Sequence, residues 1–215
     1  MSAPVLLAVA HGTRSSTGQE QIRRLVDRVA GRLPGVEVRL AYADVQQPHV
    51  GDAVPRAGTV IVPLLLSTGY HVRVDIAGAA ARSGAVVAPP LGPDPALTEI
   101  LRRHTGEAET IVLAAAGSSD PAWRADVDQV AAALDATVAY TSGDEKRVPD
   151  VVAQKRAAGA KHVTVAAYLL AEGLFYRSLH RSGADVVTPP LCTDPEIESV
   201  VVKRYLDLTM AASPL

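Results

Sequence analysis

The chain carries the same text of about a hundred residues twice, and the copies differ in their histidines. Val86-Val87-Ala88-Pro89-Pro90-Leu91-Gly92-Pro93-Asp94-Pro95 recurs as Val186-Val187-Thr188-Pro189-Pro190-Leu191-Cys192-Thr193-Asp194-Pro195, identical at seven of ten positions. Aligned back from there, Ala10-His11-Gly12-Thr13 lies opposite Ala115-Ala116-Gly117-Ser118, and Leu66-Ser67-Thr68-Gly69-Tyr70-His71 opposite Leu170-Ala171-Glu172-Gly173-Leu174-Phe175. His11 is matched by Ala116 and His71 by Phe175, whereas Gly12 and Gly69 are matched by glycines. A period this long is too great for a solenoid and fits a duplicated domain of ordinary size. We therefore expect two tandem domains, 1–106 and 107–215, joined around Thr105–Glu109. Shared glycines imply shared turns, and imidazoles in one copy alone imply one chemical site per chain.

Short apolar runs alternate with helical periodicity. Val5–Ala10 and Thr59–Leu66 read as strands covered on both faces. Val36–Tyr42 and Ala85–Ala88 complete a first set of four, and 110–115, 136–140, 162–169 and 185–188 form the second. Helices are expected after Thr17, which has capping-box spacing to Glu20, and over Val72–Arg82, Ala96–His104, Pro121–Leu134, Val148–Ala158, Phe175–Ser182 and Glu196–Leu208, with a short helical segment over Gln47–Arg56. Such alternation predicts two α/β sandwiches, each a four-stranded parallel sheet flanked by helices. Ligands of such sheets bind at the carboxyl ends of the strands.

His11 directly follows the first strand and His71 follows the third, so both fall on that rim of the first sheet. Neutral imidazole serves as a base or as a ligand for a divalent transition metal. Gly12–Gly18 enters a helix N-terminus and has the composition of an anion-holding turn. Arg14 is a rim cation suited to carboxylates, Arg73 faces solvent or substrate, and Tyr70 lines the pocket beside His71. Asp75, one helical turn after His71, can orient an imidazole N–H. Glu172 stands on the second copy's version of the Thr68 loop and can add a carboxylate; Lys146 and Arg147 follow that copy's second strand. His49, His104, His162 and His180 have no partner pattern and read as structural or surface residues, and Trp123 as a packing residue.

The net charge of −2 gives no global field for nucleic acid. The single cysteine, Cys192, excludes an intrachain disulfide and a CxxC site. No apolar run has membrane-spanning length, and Val5–Ala10 reads as a strand and not as a signal peptide. The expectation is a cytoplasmic protein without nucleic-acid or membrane partners.

Ala10-His11-Gly12-Thr13-Arg14, together with Val62-Pro63-Leu64-Leu65-Leu66-Ser67-Thr68-Gly69-Tyr70-His71 and Val74-Asp75-Ile76, resembles the two signatures of the ATP-independent tetrapyrrole metal chelatases, specifically the sirohydrochlorin cobalt- and ferrochelatases. The resemblance covers the whole chain as a duplicated domain, with strong motifs only in the first copy. It implies paired flavodoxin-like domains with an active-site cleft between them. It also implies insertion of Fe²⁺ or Co²⁺ into sirohydrochlorin, in siroheme or cobalamin synthesis, with the metal as substrate and no tightly bound cofactor. His11 and His71 become the catalytic, metal-handling pair, with Glu172 a further metal ligand, Arg14, Ser67, Tyr70 and Arg73 substrate-binding, and Asp75 behind the histidines. Glu172 and the segment Asp44-Val45-Gln46-Gln47-Pro48 depart from the family's pattern. The rival readings are a non-catalytic metal or tetrapyrrole carrier, and a flavodoxin-like flavin binder using the Thr13–Gly18 turn.

Overall fold

The computed structural model describes residues 5–53, 58–69 and 72–211, with the side chains of Val72, Arg73 and Ala211 outside the description. The elements in chain order are β1 (Val5–Ala10), α1 (Ser16–Arg32), β2 (Glu37–Tyr42), β3 (Thr59–Leu64), α2 (Ala77–Ser83), β4 (Val86–Val87), α3 (Pro95–Thr105), β5 (Ile111–Ala115), α4 (Pro121–Ala133), β6 (Thr137–Tyr140), α5 (Val148–Ala157), β7 (Thr164–Ala167), α6 (Leu174–Leu179), β8 (Val186–Val187) and α7 (Ile197–Ala211). They build two parallel four-stranded sheets, β2-β1-β3-β4 and β6-β5-β7-β8. The expected pair of flavodoxin-like sheets is thus present, each with helices on its flanks. The continuous apolar runs lie at the centre: β3 is buried at all six positions, whereas β2 on the edge alternates before it is buried at Ala41 and Tyr42.

The chain divides into two compact units, residues 1–92 with 195–215, and residues 93–194. In the first, Leu7, Val9 and Ile61 join Ile76, Ala79 and Ala80 in one core on the α2 side. Period-two alternation sends Leu6, Ala8 and Ala10 to the other face, where α1 presents Ile22, Leu25, Val26 and Val29. Helix α7 packs there beside α1 and over β3. Arg28 Nε donates to Glu198 Oε2 at 2.6 Å and Arg32 to Ser199 Oγ at 2.6 Å, tying the two helices. In the second unit, Val112, Ala114, Val163 and Val165 join Val151, Val152 and Leu179, and α3 packs over β7.

Each copy's last helix therefore covers the other copy's sheet: α3 lies on β7 as α7 lies on β3. The expected boundary at 106/107 follows the repeat in the sequence, whereas the packing divides the chain at 92/93 and 194/195. The physical reason is that β3 and β7 are buried on both faces and each takes its cover from the helix that follows the other copy's Pro-Pro-Leu loop. That loop is clamped accordingly. Arg204 on α7 donates to the Pro90 and Leu91 carbonyls at 3.0 and 3.1 Å. Arg103 on α3 pairs with Asp194 at 3.0 Å and His104 Nε2 lies 3.2 Å from the same carboxylate.

Three local expectations are corrected. Helix α1 is capped by Ser15, whose hydroxyl accepts from Gly18 N at 3.4 Å, not by Thr17 with Glu20; Glu20 instead pairs with Arg23 and Arg24. Residues 47–53 are not helical, because Tyr42 N donates to Pro48 O and Val50 N to Tyr42 O, laying that backbone alongside the end of β2. Val72–Arg82 is not one α-helix: Val72–Ile76 winds as a π-type turn and α2 follows from Ala77.

Candidate metal-chelation site

Strand order reverses around β1, whose neighbours are β2 and β3, and Ala10 at its end is in register with Leu64. The β2–β1–β3 order makes the carboxyl ends of β1 and β3 the switch point of the sheet, where connections leave to opposite faces and open a crevice. His11 is the first residue beyond β1 and is exposed there, its Nδ1 3.2 Å from Gly12 O. The Leu65–Gly69 loop leaves β3 beside it. His71 and Tyr70, expected on that rim, lie outside the described residues, as does the side chain of Arg73.

The turn carrying His11 is fixed by a glycine requirement. Ala43 N donates to Ala10 O at 2.8 Å and Asp44 N to His11 O at 3.0 Å. The chain then turns at Gly12 with φ +99°, where a Cβ would stand 2.3 Å from Asp44 O. Only glycine fits both the angle and the approach. The second copy repeats the turn: Thr141 N donates to Ala115 O and Ser142 N to Ala116 O, and Gly117 turns at φ +104° against Ser142. Ala116 therefore occupies the position of His11 on an equivalent backbone. Leu91 N donates to Leu65 O as Leu191 N donates to Leu169 O, so the loops after β3 and β7 also correspond. That correspondence agrees with the alignment of Glu172 with Thr68.

Three backbone amides of the Thr13–Gly18 turn, which was expected to hold an anion, are engaged within the protein. Thr13 N donates to Gln46 Oε1 at 2.9 Å, Ser15 N to Thr13 Oγ1 at 3.1 Å, and Gly18 N to the Ser15 hydroxyl. Arg14 is exposed. Ser67 is buried in the loop after β3. Asp75 is half-buried in the π-type turn.

In the second unit Glu172 is half-buried near Tyr176, whose phenol is pushed up by burial and, secondarily, by the Glu172 charge. Lys146 and Arg147 are exposed. Among the described residues no group of three or more His, Cys, Asp or Glu side chains is placed to hold a metal, and no helix is long and apolar enough to cross a membrane.

The other histidines are accounted for. His49 Nε2 donates to Ala43 O at 2.6 Å while Nδ1 accepts from Gly51 N at 3.2 Å, so this imidazole pins the loop behind His11. His104 holds Asp194 through Nε2 and leaves Nδ1 buried without a partner. His162 lies 3.8 Å from Asp185, and His180 meets the Tyr176 ring edge-on at 5.2 Å. Trp123 packs against Tyr140, as expected of a packing residue.

Val45 and Gln46, expected only as part of a segment that departs from the family's pattern, both shape the rim. Gln46 holds the Thr13 amide, and Val45 adopts φ +62°. The available signal was that Val45 aligns with Gly143, a residue suited to that angle.

The family model CbiX matches residues 5–108 and again 110–208. The chain belongs to the CbiX family. The two matches reproduce the duplication as sequence, though not the exchange of α3 and α7 in space. Among curated relatives, a sirohydrochlorin cobaltochelatase of Methanosarcina barkeri is 29% identical over 77 residues, 33% of this chain and 59% of that protein. One from Methanosarcina acetivorans is 29% identical over 79 residues, 34% of this chain and 61% of that protein. The match thus spans about three-fifths of these relatives. Among solved structures, SirB from Bacillus subtilis with Fe³⁺ aligns at TM-score 0.78 and 18% identity over 95% of both chains. CbiX described as the terminal enzyme for siroheme biosynthesis in denitrifying bacteria aligns at 0.70 and 22% over 97% of this chain and 99% of that one. These structural likenesses establish that the CbiX member described here has the chelatase fold.

Proposed function

We propose that this chain is a sirohydrochlorin chelatase that inserts Fe²⁺ or Co²⁺ into the tetrapyrrole without ATP, in siroheme or cobalamin synthesis in the cytoplasm. The observation that carries the reading is His11 at the switch point of the first sheet, on a turn the second copy reproduces with Ala116. An exposed imidazole there, on a backbone that does not need it, is retained for chemistry.

Metal insertion exchanges two pyrrolic protons for one divalent cation. The metal–nitrogen bonds form as the N–H bonds break, and no electron moves. The protein must present the ion without trapping it and must accept protons. A pair of imidazoles meets the first need better than a closed four-ligand site, and an unprotonated ring nitrogen can accept a proton for the second. We assign the metal and proton steps to His11 and His71, with Asp75 orienting an imidazole and Glu172 offered as a further carboxylate ligand. Arg14 binds substrate carboxylates; Ser67, Tyr70 and Arg73 are assigned to the same substrate.

The test is anaerobic mixing of protein, sirohydrochlorin and Co²⁺ or Fe²⁺, followed by absorbance. Wild type accelerates insertion over the metal-only rate, and His11→Ala and His71→Ala lose that acceleration. Ala116 shows that the turn accepts alanine, so His11→Ala keeps its stability within about 0.5 kcal/mol, as for an exposed substitution. No acceleration by wild type refutes the activity; full activity of both variants refutes the assignment. Tight tetrapyrrole binding without insertion would instead identify a carrier.

A further inference from the structure

Val45 is the residue on the first rim whose conformation its own chemistry does not explain. It sits at φ +62°, a region in which a β-branched side chain is a genuine outlier. The corresponding position in the second copy is Gly143, at φ +82°. The same turn is therefore made there by the residue that suits it, and the first copy keeps valine against a local preference. Its neighbours hold it in place: Val45 N donates to Asp44 Oδ1 at 2.7 Å and Gln46 N to Asp44 O at 2.6 Å. Strain that a structure over-determines in this way concentrates at functional positions.

The valine gains little burial in return. It is 46% exposed, among the few large apolar side chains of the chain that face solvent. Its Cβ lies 3.2 Å from where a Gly12 Cβ would stand, which sets it against the turn that carries His11. The strain thus presents an apolar group at the rim beside the imidazole, and does so only in the histidine-bearing copy. A flat, apolar macrocycle with carboxylates on its periphery is the ligand that such a pairing suits: its face meets the isopropyl group while its centre is addressed by the neighbouring imidazole.

On this basis, and resting on the chelatase reading above, we infer that Val45 is a substrate-contact residue that positions the tetrapyrrole macrocycle against the His11 turn. Its contribution is to tetrapyrrole binding and not to metal binding.

The experiment compares Val45→Asn, Val45→Gly and Val45→Leu in the full chain, measuring KM for sirohydrochlorin, Co²⁺ affinity of the protein alone, and Tm. Asparagine and glycine accept positive φ but remove the apolar surface, and each raises KM roughly tenfold. Leucine restores apolar area and keeps KM within about threefold of wild type. Co²⁺ affinity stays within about twofold throughout, the resolution of such a titration. The Tm of Val45→Gly equals or exceeds that of wild type, because glycine meets this angle without a Cβ penalty. An unchanged KM in Val45→Asn and Val45→Gly overturns the inference. So does a parallel loss of Co²⁺ affinity, which would make Val45 a support for the His11 turn and not a substrate contact. A wild type that neither binds nor metallates sirohydrochlorin overturns the chelatase reading and this inference with it; an active wild type matched by all three variants overturns this inference alone.

Discussion

Replacing Gly12 with alanine tests whether the His11 turn governs the chemistry, and the duplication supplies its control. An alanine Cβ at Gly12 would lie 2.3 Å from the Asp44 carbonyl oxygen, with φ +99° on the backbone. The obstacle is main chain, so it cannot swing aside. A left-handed conformation costs an alanine about 1–2 kcal/mol, and forcing a methyl into an occupied position adds about 1–3. Gly12→Ala should therefore lose about 2–5 kcal/mol in the first unit, or relax by moving Asp44 away and breaking its bond to the His11 carbonyl. At Gly117 the nearest backbone atom, Ser142 O, is 2.8 Å away and the closer atom is the Ser142 hydroxyl oxygen at 2.7 Å, so Gly117→Ala carries a smaller overlap at a similar φ. Thermal unfolding by calorimetry and sirohydrochlorin metallation are measured for both. Each kcal/mol lowers the Tm by about 2–4 °C for a chain of this size. Gly12→Ala unfolds earlier and loses about a hundredfold in rate, the scale expected when a reacting group moves by an ångström. Gly117→Ala loses stability and keeps its rate within about threefold, since no imidazole follows from that turn. A Gly12→Ala protein with wild-type Tm and rate would refute the reasoning, as would equal rate losses in the two variants.

The exchange of α3 and α7 predicts which fragments fold. Residues 93–194 should fold alone with a cooperative melt, whereas 107–215 lacks Leu97, Ile100 and Leu101, all fully buried; at about 1.5–3 kcal/mol each their loss is comparable with a whole domain's stability, and a cooperative, soluble 107–215 would count against the exchange. Asp185 predicts an acid-side effect in the second unit: hydrogen bonds from Arg156 and from the Val163 backbone lower its carboxyl from an ordinary 3.8 to about 2. A folded value below the unfolded one stabilises above the unfolded pKa and is lost as pH falls through the folded value. Asp185→Asn should therefore narrow its stability deficit as pH drops from about 4 to 2, and a deficit independent of pH over that window in chemical denaturation would contradict it. Glu198→Ala should cost about 1–2 kcal/mol by severing the α1–α7 tie through Arg28, and an unchanged denaturation midpoint would show that the tie contributes nothing.

Much of this was legible in the residues because the determinants are local. Val5–Ala10 and Val60–Leu64 are apolar runs of strand length bounded by turn signals, as doubly covered strands require. Gly12 and Gly117 aligned because both turns demand the same φ, so His11 could be placed on a rim without coordinates. The cap of α1 was misplaced by two residues because Ser15, Ser16 and Thr17 are all capable caps, and the choice is made by Thr13 and Gln46, which lies far along the chain. The helix expected over Gln47–Arg56 failed for a related reason. His49 and Pro48 are recruited by the end of β2, a pairing that local propensity does not encode. The exchange of α3 and α7 was not legible, since the two helices bury residues at equivalent positions, Leu97, Ile100 and Leu101 against Ile197, Val200 and Val201.

That likeness between the copies bears on the proposal of a single site. Because each sheet borrows its covering helix from the other copy, the copies share one folding problem, and their sheets remain alike in order and register. The rim turns are not under that constraint: they need only the glycines and the carbonyl contacts that Ala10, His11, Ala115 and Ala116 supply. Side chains at the tips can diverge without disturbing the cores, as His11 against Ala116, Val45 against Gly143 and Thr68 against Glu172 do. Two of these support, on separate grounds, the proposal that the first copy is the chemical one. His11 adds a reactive group that its backbone does not require, and Val45 keeps an apolar group that its backbone disfavours. Val45, in the loop after β2, stands against the turn that carries His11, so the His11 and Val45 variants test one proposed ligand.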